Sequence, residues 1–275
     1  THNNRENLLF YSSDMQGELS NRMDLESKLR DALKNEEFLL HYQPLVATKD
    51  NQILGVEALI RWNHSQEGMI SPGEFIPLAE ETGMIVEIGN WVLKEACRQL
   101  KEWQKAGYSE LIMSVNIAPQ QFQQPDFINK LQLILEETGV DPQYLELEIT
   151  ERTVIGNVEY TVDLLNNLKE LGVKIAIDDF GTGYSSLEYL NEFALDTLKI
   201  DRTFIHNKKN EKLVKTIIMI ADNLNLSVIA EGVETEDELN FLSENGCTKY
   251  QGYLHSKPAA PDQIDGLLEK NLKIN

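Results

Sequence analysis

Cysteine is nearly missing from this chain: among 275 residues only Cys97 and Cys247 occur, and they form no CxxC pair. Neither a disulfide framework nor a zinc–thiolate site is thereby implied, and a reducing, cytoplasmic setting is expected for the domain. Histidine is also sparse. His2, His41, His64, His206 and His255 show no HxxxH or HxH spacing, which turns any metal chemistry away from zinc. Long apolar runs are absent; a stretch such as Thr216 to Ala221 falls far short of the roughly 20 residues of a membrane span, and no signal-peptide pattern precedes the fold. Basic residues are in deficit, 25 Lys and Arg against 45 Asp and Glu, for a net charge of −20. That balance repels DNA, RNA and anionic membranes, so no nucleic-acid polymer is an expected partner, and an anionic substrate must be met by local cations.

Acid is what the chain has in excess, and some of it stands where acid is costly. Glu57, Glu148, Asp178, Asp179 and Glu231 each lie in or at the end of a short apolar run that reads as a β-strand. An unpaired charge withdrawn from water loses solvation that only a partner or a metal ion restores. Carboxylates recurring at strand ends therefore suggest one convergent site for a hard divalent cation, Mg2+ or Mn2+.

A hydrophobic content of 41% supports one large core. Strand patterns are expected at Phe38–Val46, Ile53–Trp62, Leu111–Ile117, Leu145–Ile149, Val173–Asp178, Thr197–Asp201, Ser227–Glu231 and Thr248–Gln251, eight in all. Helical signatures separate most of them. Ser71-Pro72-Gly73-Glu74 reads as a capping box with proline at the first helical position. Ile88, Val92, Ala96, Leu100 and Trp103 form one stripe that stops near Gly107, and Leu164, Leu165, Leu168 and Leu171 another, closed by Gly172. A short charged helix from Met23 to Leu33 is expected to enter from an upstream partner, with residues 1–24 as linker and 25–275 as the main domain. The βα alternation predicts an α/β fold, a modified TIM-like (β/α)8 barrel. Its first corner is expected to be irregular, because no helix separates the first two strands.

Period-2 alternation assigns faces. Leu145, Leu147 and Ile149 oppose Glu146 and Glu148; Val173, Ile175 and Ile177 oppose Lys174, Ala176 and Asp178; Leu198 and Ile200 oppose Thr197, Lys199 and Asp201. Ser114 and Asn116 share a face, as do Glu57, Leu59 and Arg61. In a barrel the polar faces point into the lumen, and chemistry sits at the C-terminal ends of the strands, where Asn116, Glu148, Asp178, Asp179, Lys199 and Glu231 fall. Simpler readings stand beside this one. Leu145–Ile149 alone suits a half-exposed antiparallel strand, Asp178-Asp179 could open a turn and cap a helix, and Lys199 alone could be a surface lysine. The run Phe180-Gly181-Thr182-Gly183-Tyr184-Ser185-Ser186 lacks the GK[ST] of a phosphate loop and reads better as a flexible lid.

The motifs together resemble the EAL-domain cyclic-di-GMP phosphodiesterase family. Gly55-Val56-Glu57-Ala58-Leu59-Ile60-Arg61-Trp62 carries its signature tripeptide. It is joined in family order by Tyr42-Gln43-Pro44, Ser114-Val115-Asn116, Glu148-Ile149-Thr150-Glu151, Asp178-Asp179-Phe180-Gly181, Leu198-Lys199-Ile200-Asp201, Ala230-Glu231-Gly232-Val233-Glu234 and Gln251-Gly252-Tyr253. The resemblance covers roughly residues 25 to 270, and the segment from Leu8 to Arg30 is similar to the junction after a GGDEF diguanylate cyclase domain. It implies Glu57, Asn116, Glu148 and Asp178 on one metal, Asp178 and Asp179 on a second, and Glu231 holding a metal-bound water that Lys199 positions. It implies Gln43, Arg61 and Gln251 on substrate, with Arg61 on phosphate, and Glu151 anchoring the lid. The implied activity is metal-dependent opening of cyclic di-GMP to linear 5′-pGpG. A homodimer formed near Phe180–Leu187 and an upstream GGDEF or sensor domain, which could bring a membrane anchor, complete the expectation. Thr248, His255 and Ala118 depart from residues frequent in the family. An inert cyclic-di-GMP receptor and an enolase-like lyase, which also sets acids and a lysine at strand ends, are the alternatives.

Overall fold

The computed structural model describes residues 13–155, 158–181, 190 and 192–272. Nine strands occur in it: β1 (Phe38–Ala47), β2 (Ile53–His64), β3 (Gly68–Ile70), β4 (Ile112–Asn116), β5 (Leu145–Thr150), β6 (Lys174–Phe180), β7 (Thr197–Ile200), β8 (Ser227–Ala230) and β9 (Lys249–Tyr250). Their order is β1-β9-β8-β7-β6-β5-β4-β2-β3, and a further β1–β2 pairing closes eight of them into a barrel. The ninth strand, β3, hangs on β2 as an antiparallel hairpin. Three residues are too few to show alternation, so the sequence does not reveal β3.

The irregular corner is real, and its cause is strand direction. Strands β2 and β4 to β9 run parallel around the ring, whereas β1 is antiparallel to both of its neighbours, β2 and β9. Antiparallel neighbours need only a short turn, while parallel ones need a crossover. A tight turn with Asn51 in the left-handed region (φ 58°) therefore replaces the missing helix.

Helix α1 (Ser13–Ala32) starts well before Met23 and runs through residues 24 and 25, where the linker was expected to end. The polar stretch ahead of Met23 hides its start, but Leu29 and Ala32 at its far end are fully part of the core. Helix α2 (Pro72–Thr82) begins with Ser71 at the N-cap and Pro72 in the first turn, as expected, yet the capping box fails. The Ser71 side chain makes no cap hydrogen bond; Glu74 N donates instead to the Ser71 carbonyl at 2.9 Å. A complete capping box does form at Thr235 and Glu238, ahead of the helix Glu236–Glu244. Helix α3 (Ile85–Lys105) buries the expected stripe from Ile88 to Trp103.

Every residue from Leu145 to Ile149 is buried, which excludes the half-exposed sheet. Apolar side chains of the strands face the helices, and the polar ones are buried in the lumen. At one end of the β1–β2 pair, Trp62 is fully buried among Phe38 and Phe75, with ring centroids 5.9 and 5.5 Å away. Its indole N–H needs a partner and donates to Glu37 Oε2 at 3.0 Å, while Ser65 N donates to Glu37 Oε1 at 3.3 Å. Burial pushes the Glu37 carboxyl up, but these donors outweigh it and hold it below its ordinary range. Glu37 therefore stabilises the fold above the unfolded carboxylate range and loses that contribution as pH falls through its folded value. Glu37→Ala is expected to cost about 1–3 kcal/mol in urea unfolding at neutral pH, with the difference shrinking on acidification. A constant difference down to pH 3 would contradict this.

Both cysteines are buried, and burial pushes their thiols up, Cys97 to about 12 and Cys247 to about 11. Neither should react with Ellman's reagent at pH 8 until the chain unfolds, because the thiolate is the reactive form.

Candidate active site

The mouth is assembled from strand ends, and β6 contributes twice. Consecutive strand residues normally point to opposite faces, so Asp178 and Asp179 could not both serve one site from a regular strand. Here the β6–β7 register shifts between Ile177 and Phe180, and Asp179 takes φ 55°, a left-handed conformation that Asp tolerates better than most residues. The bulge turns both carboxylates to the mouth. Asp178, Asp179 and Glu231 each place an oxygen within 4.8 Å of the others. The turn-and-cap reading of Asp178-Asp179 is thus replaced by a bulge within the strand.

Lys199, 1% exposed, stands at the centre. Its Nζ lies 2.6 Å from Glu148 Oε2, 2.6 Å from Glu231 Oε1, 3.5 Å from Asp178 Oδ1 and 3.7 Å from Glu57 Oε2. The surface-lysine reading is excluded. Burial alone would strip its proton, but the four carboxylates outweigh burial and hold its pKa well above the ordinary value. The carboxylates show the opposite imbalance. Burial, then Glu57, pushes Glu148 well up; burial pushes Glu231 up to about 8 against the pull of Lys199; burial and then Asp178 raise Asp179. One ammonium is too little positive charge for five crowded acids.

Around Glu57 the neutral amides are ordered. Asn116 Nδ2 donates to Glu57 Oε1 at 2.6 Å, which leaves the Asn116 carbonyl oxygen as its donor atom toward a cation. Gln251 Nε2 donates to Glu57 Oε2 at 2.6 Å and to Gln43 Oε1 at 3.0 Å, and Gln43 Nε2 donates to the Ser256 carbonyl at 3.1 Å. Gln43 and Gln251 thus buttress Glu57 in this structure. Arg61, half-buried on the same face above Glu57, donates to its neighbour's Ile60 carbonyl at 2.8 Å. Beside it a cavity of about 280 Å³ opens between β2, α2 and α3, lined by Leu59, Ile76, Ile88 and Pro119 and reaching Asn116. Glu151 is buried just after β5, and its Oε2 accepts from Gly181 N at 3.0 Å, at the start of the expected lid. The rest of that lid, Thr182–Ser186, and most of the expected dimer segment lie outside the described residues.

A further buried acid lies beneath the site. Glu146 sits one layer deeper than Glu148, where it accepts from Ser114 Oγ at 3.2 Å and Thr197 Oγ1 at 2.8 Å. Its alternation with Glu148 was the available signal. Of the three departures, Ala118 occupies the N-cap of the helix Pro119–Phe122, so what it forgoes is a cap hydrogen bond.

The donor set is all oxygen, carboxylates with one amide carbonyl, which fits Mg2+ or Mn2+ and gives a poor zinc or copper site. Fold and site define a TIM-like barrel with an acidic centre at its mouth whose carboxylates could hold a cation. The chain belongs to the EAL domain family, which matches residues 26–258. It is 41% identical over 264 residues to the bifunctional diguanylate cyclase/cyclic di-GMP phosphodiesterase MucR of Pseudomonas aeruginosa, covering 94% of this chain and 38% of MucR. It is 42% identical over 258 residues to the cyclic di-GMP phosphodiesterase NbdA of the same organism, covering 92% and 33%. The solved MucR phosphodiesterase in complex with c-di-GMP superposes with a TM-score of 0.85 at 42% identity, over 88% of this chain and 99% of that one. The chain spans 38% of the length of MucR and 33% of that of NbdA.

Proposed function

We propose that this chain hydrolyses cyclic di-GMP to linear 5′-pGpG with two bound divalent cations, Mg2+ or Mn2+, at the barrel mouth. The observation that carries the reading is the cluster of Asp178, Asp179 and Glu231 beside a ring of carboxylates that Lys199 neutralises only in part. Glu57, Asn116, Glu148 and Asp178 would hold one cation, and Asp178 with Asp179 the other. Cations bound there would lower the pKa of the attacking water and offset charge growing on the phosphoryl oxygens.

The chain's own groups do the rest. Glu231, held by Lys199 at 2.6 Å, is placed to orient the attacking water and accept its proton, and Lys199 keeps its own proton to steady the charge that develops. Arg61 meets a phosphate, and the adjoining apolar cavity, of about 280 Å³, is large enough to admit a purine base. Glu151 holds the lid's first turn. In this reading the chain is one domain of a larger dimeric signalling protein, working on the cytoplasmic side beside a GGDEF or sensor domain.

Incubating the purified chain with cyclic di-GMP and Mg2+ or Mn2+ should yield linear 5′-pGpG by chromatography, and chelation should abolish it. A tight complex that never turns over would instead mark a receptor domain.

A further inference from the structure

The loop that follows Glu231 is built on a glycine with no room for a side chain. Gly232 takes φ 68°, and a Cβ there would lie 2.3 Å from the Arg202 Cβ. Glycine leaves the backbone freer than any other residue, so the direction of Glu231 has to be fixed from outside. Backbone groups supply part of the hold: Glu231 N donates to the Ile200 carbonyl at 3.0 Å, and Val233 N to the Gln251 carbonyl at 3.1 Å. The Gly232 carbonyl is held by a side chain. His206 Nε2 donates to it at 2.6 Å.

His206 is itself firmly placed. It closes the short helix Arg202–Ile205 with its own N–H on the Arg202 carbonyl at 3.0 Å, and the Asp201 side chain caps the other end by accepting from Thr203 N at 3.0 Å. That helix begins three residues after Lys199. The same stretch of chain therefore grips the segment after β8 twice: Lys199 Nζ meets the Glu231 carboxylate at 2.6 Å, and His206 meets the carbonyl of the next residue. His206 is exposed and adds little to the core, so the bond is its contribution. A carbonyl can only accept, which puts the ring proton on Nε2.

We infer that His206 is a positioning residue for Glu231: by fixing the Gly232–Val233 peptide it sets the direction in which the Glu231 carboxylate meets the attacking water. This rests on the phosphodiesterase reading and adds an outer tie to the group that accepts the proton. Because His206 acts through Glu231, its loss should appear in the rate of the chemical step rather than in binding.

Three variants test it. His206→Ala should lower kcat for cyclic di-GMP about three- to tenfold with KM within about twofold, since a misdirected carboxylate costs rate and leaves the substrate contacts in place. His206→Phe, which keeps a ring and loses the donor, should match it. His206→Gln, whose amide nitrogen can reach the same carbonyl, should return kcat to within about twofold of the unaltered chain. A second readout needs neither substrate nor metal. In chelator, hydrogen–deuterium exchange at the Glu231 and Val233 amides should quicken in His206→Ala and His206→Phe and stay slow in His206→Gln. An unchanged kcat in His206→Ala, a loss carried in KM, no rescue by glutamine, or exchange that does not respond overturns the inference and leaves the phosphodiesterase reading intact. Failure of the unaltered chain to hydrolyse cyclic di-GMP overturns both.

Discussion

Lys199→Met is expected to destabilise the metal-free protein by about 3–5 kcal/mol in urea unfolding, because it leaves four carboxylates around a buried space with no countercharge. In the intact chain the ammonium lies 2.6 Å from both Glu148 and Glu231. Two signatures separate this from ordinary loss of packing. Adding Mg2+ or Mn2+ should recover much of the lost stability, since a divalent ion replaces the missing charge and binds only the folded state. Lowering the pH should recover part as well, as the crowded carboxylates take up protons. Hydrolysis should stay lost even with metal, because the group that steadies Glu231 is gone. A deficit indifferent to both metal and pH would show that Lys199 is packing rather than countercharge.

Glu57→Ala is expected to lower kcat/KM by about 10²–10³-fold. The side chain does two things in the structure: it joins the ring around Lys199, and it accepts from both Asn116 and Gln251 at 2.6 Å. Removing it frees two amides as well as deleting a carboxylate. The half-saturating metal concentration should therefore rise along with the loss of rate, and metal titrations followed by product chromatography would show it. Full rate at saturating metal would mean Glu57 is dispensable for the chemistry.

The site was more legible in the sequence than the devices that build it. Alternation in β5 and β7 is enough to send Glu148 and Lys199 to one face, since a strand allows only two. The same rule hides why Asp178 and Asp179 act together: they are neighbours, and only the bulge at Asp179, with its positive φ, lets both reach the mouth. Ser71 misled for a related reason. Its pattern matches a capping box, but a pattern does not fix the side-chain rotamer, and the Ser71 backbone carbonyl accepts from Glu74 N in the side chain's place. The roles of Gln43 and Gln251 as supports for Glu57 depend on contacts more than 190 residues apart in the chain, which no local pattern encodes.

The reversed first strand also changes how the domain is entered. In an all-parallel barrel the chain comes in at the floor, on the face remote from the chemistry. Here β1 is antiparallel to β2, so its first residue, Phe38, pairs with Trp62 at the end of β2 that carries Arg61. Helix α1 accordingly arrives at the rim. There Arg22 and Lys28 form ion pairs with Glu81 at the end of α2 and Glu67 in the β2–β3 turn. Because α2 also supplies Ile76 to the cavity beside Arg61, one short helix separates the incoming chain from the place where a base would lie. Turning a single strand around has set the doorway of the fold next to its workbench.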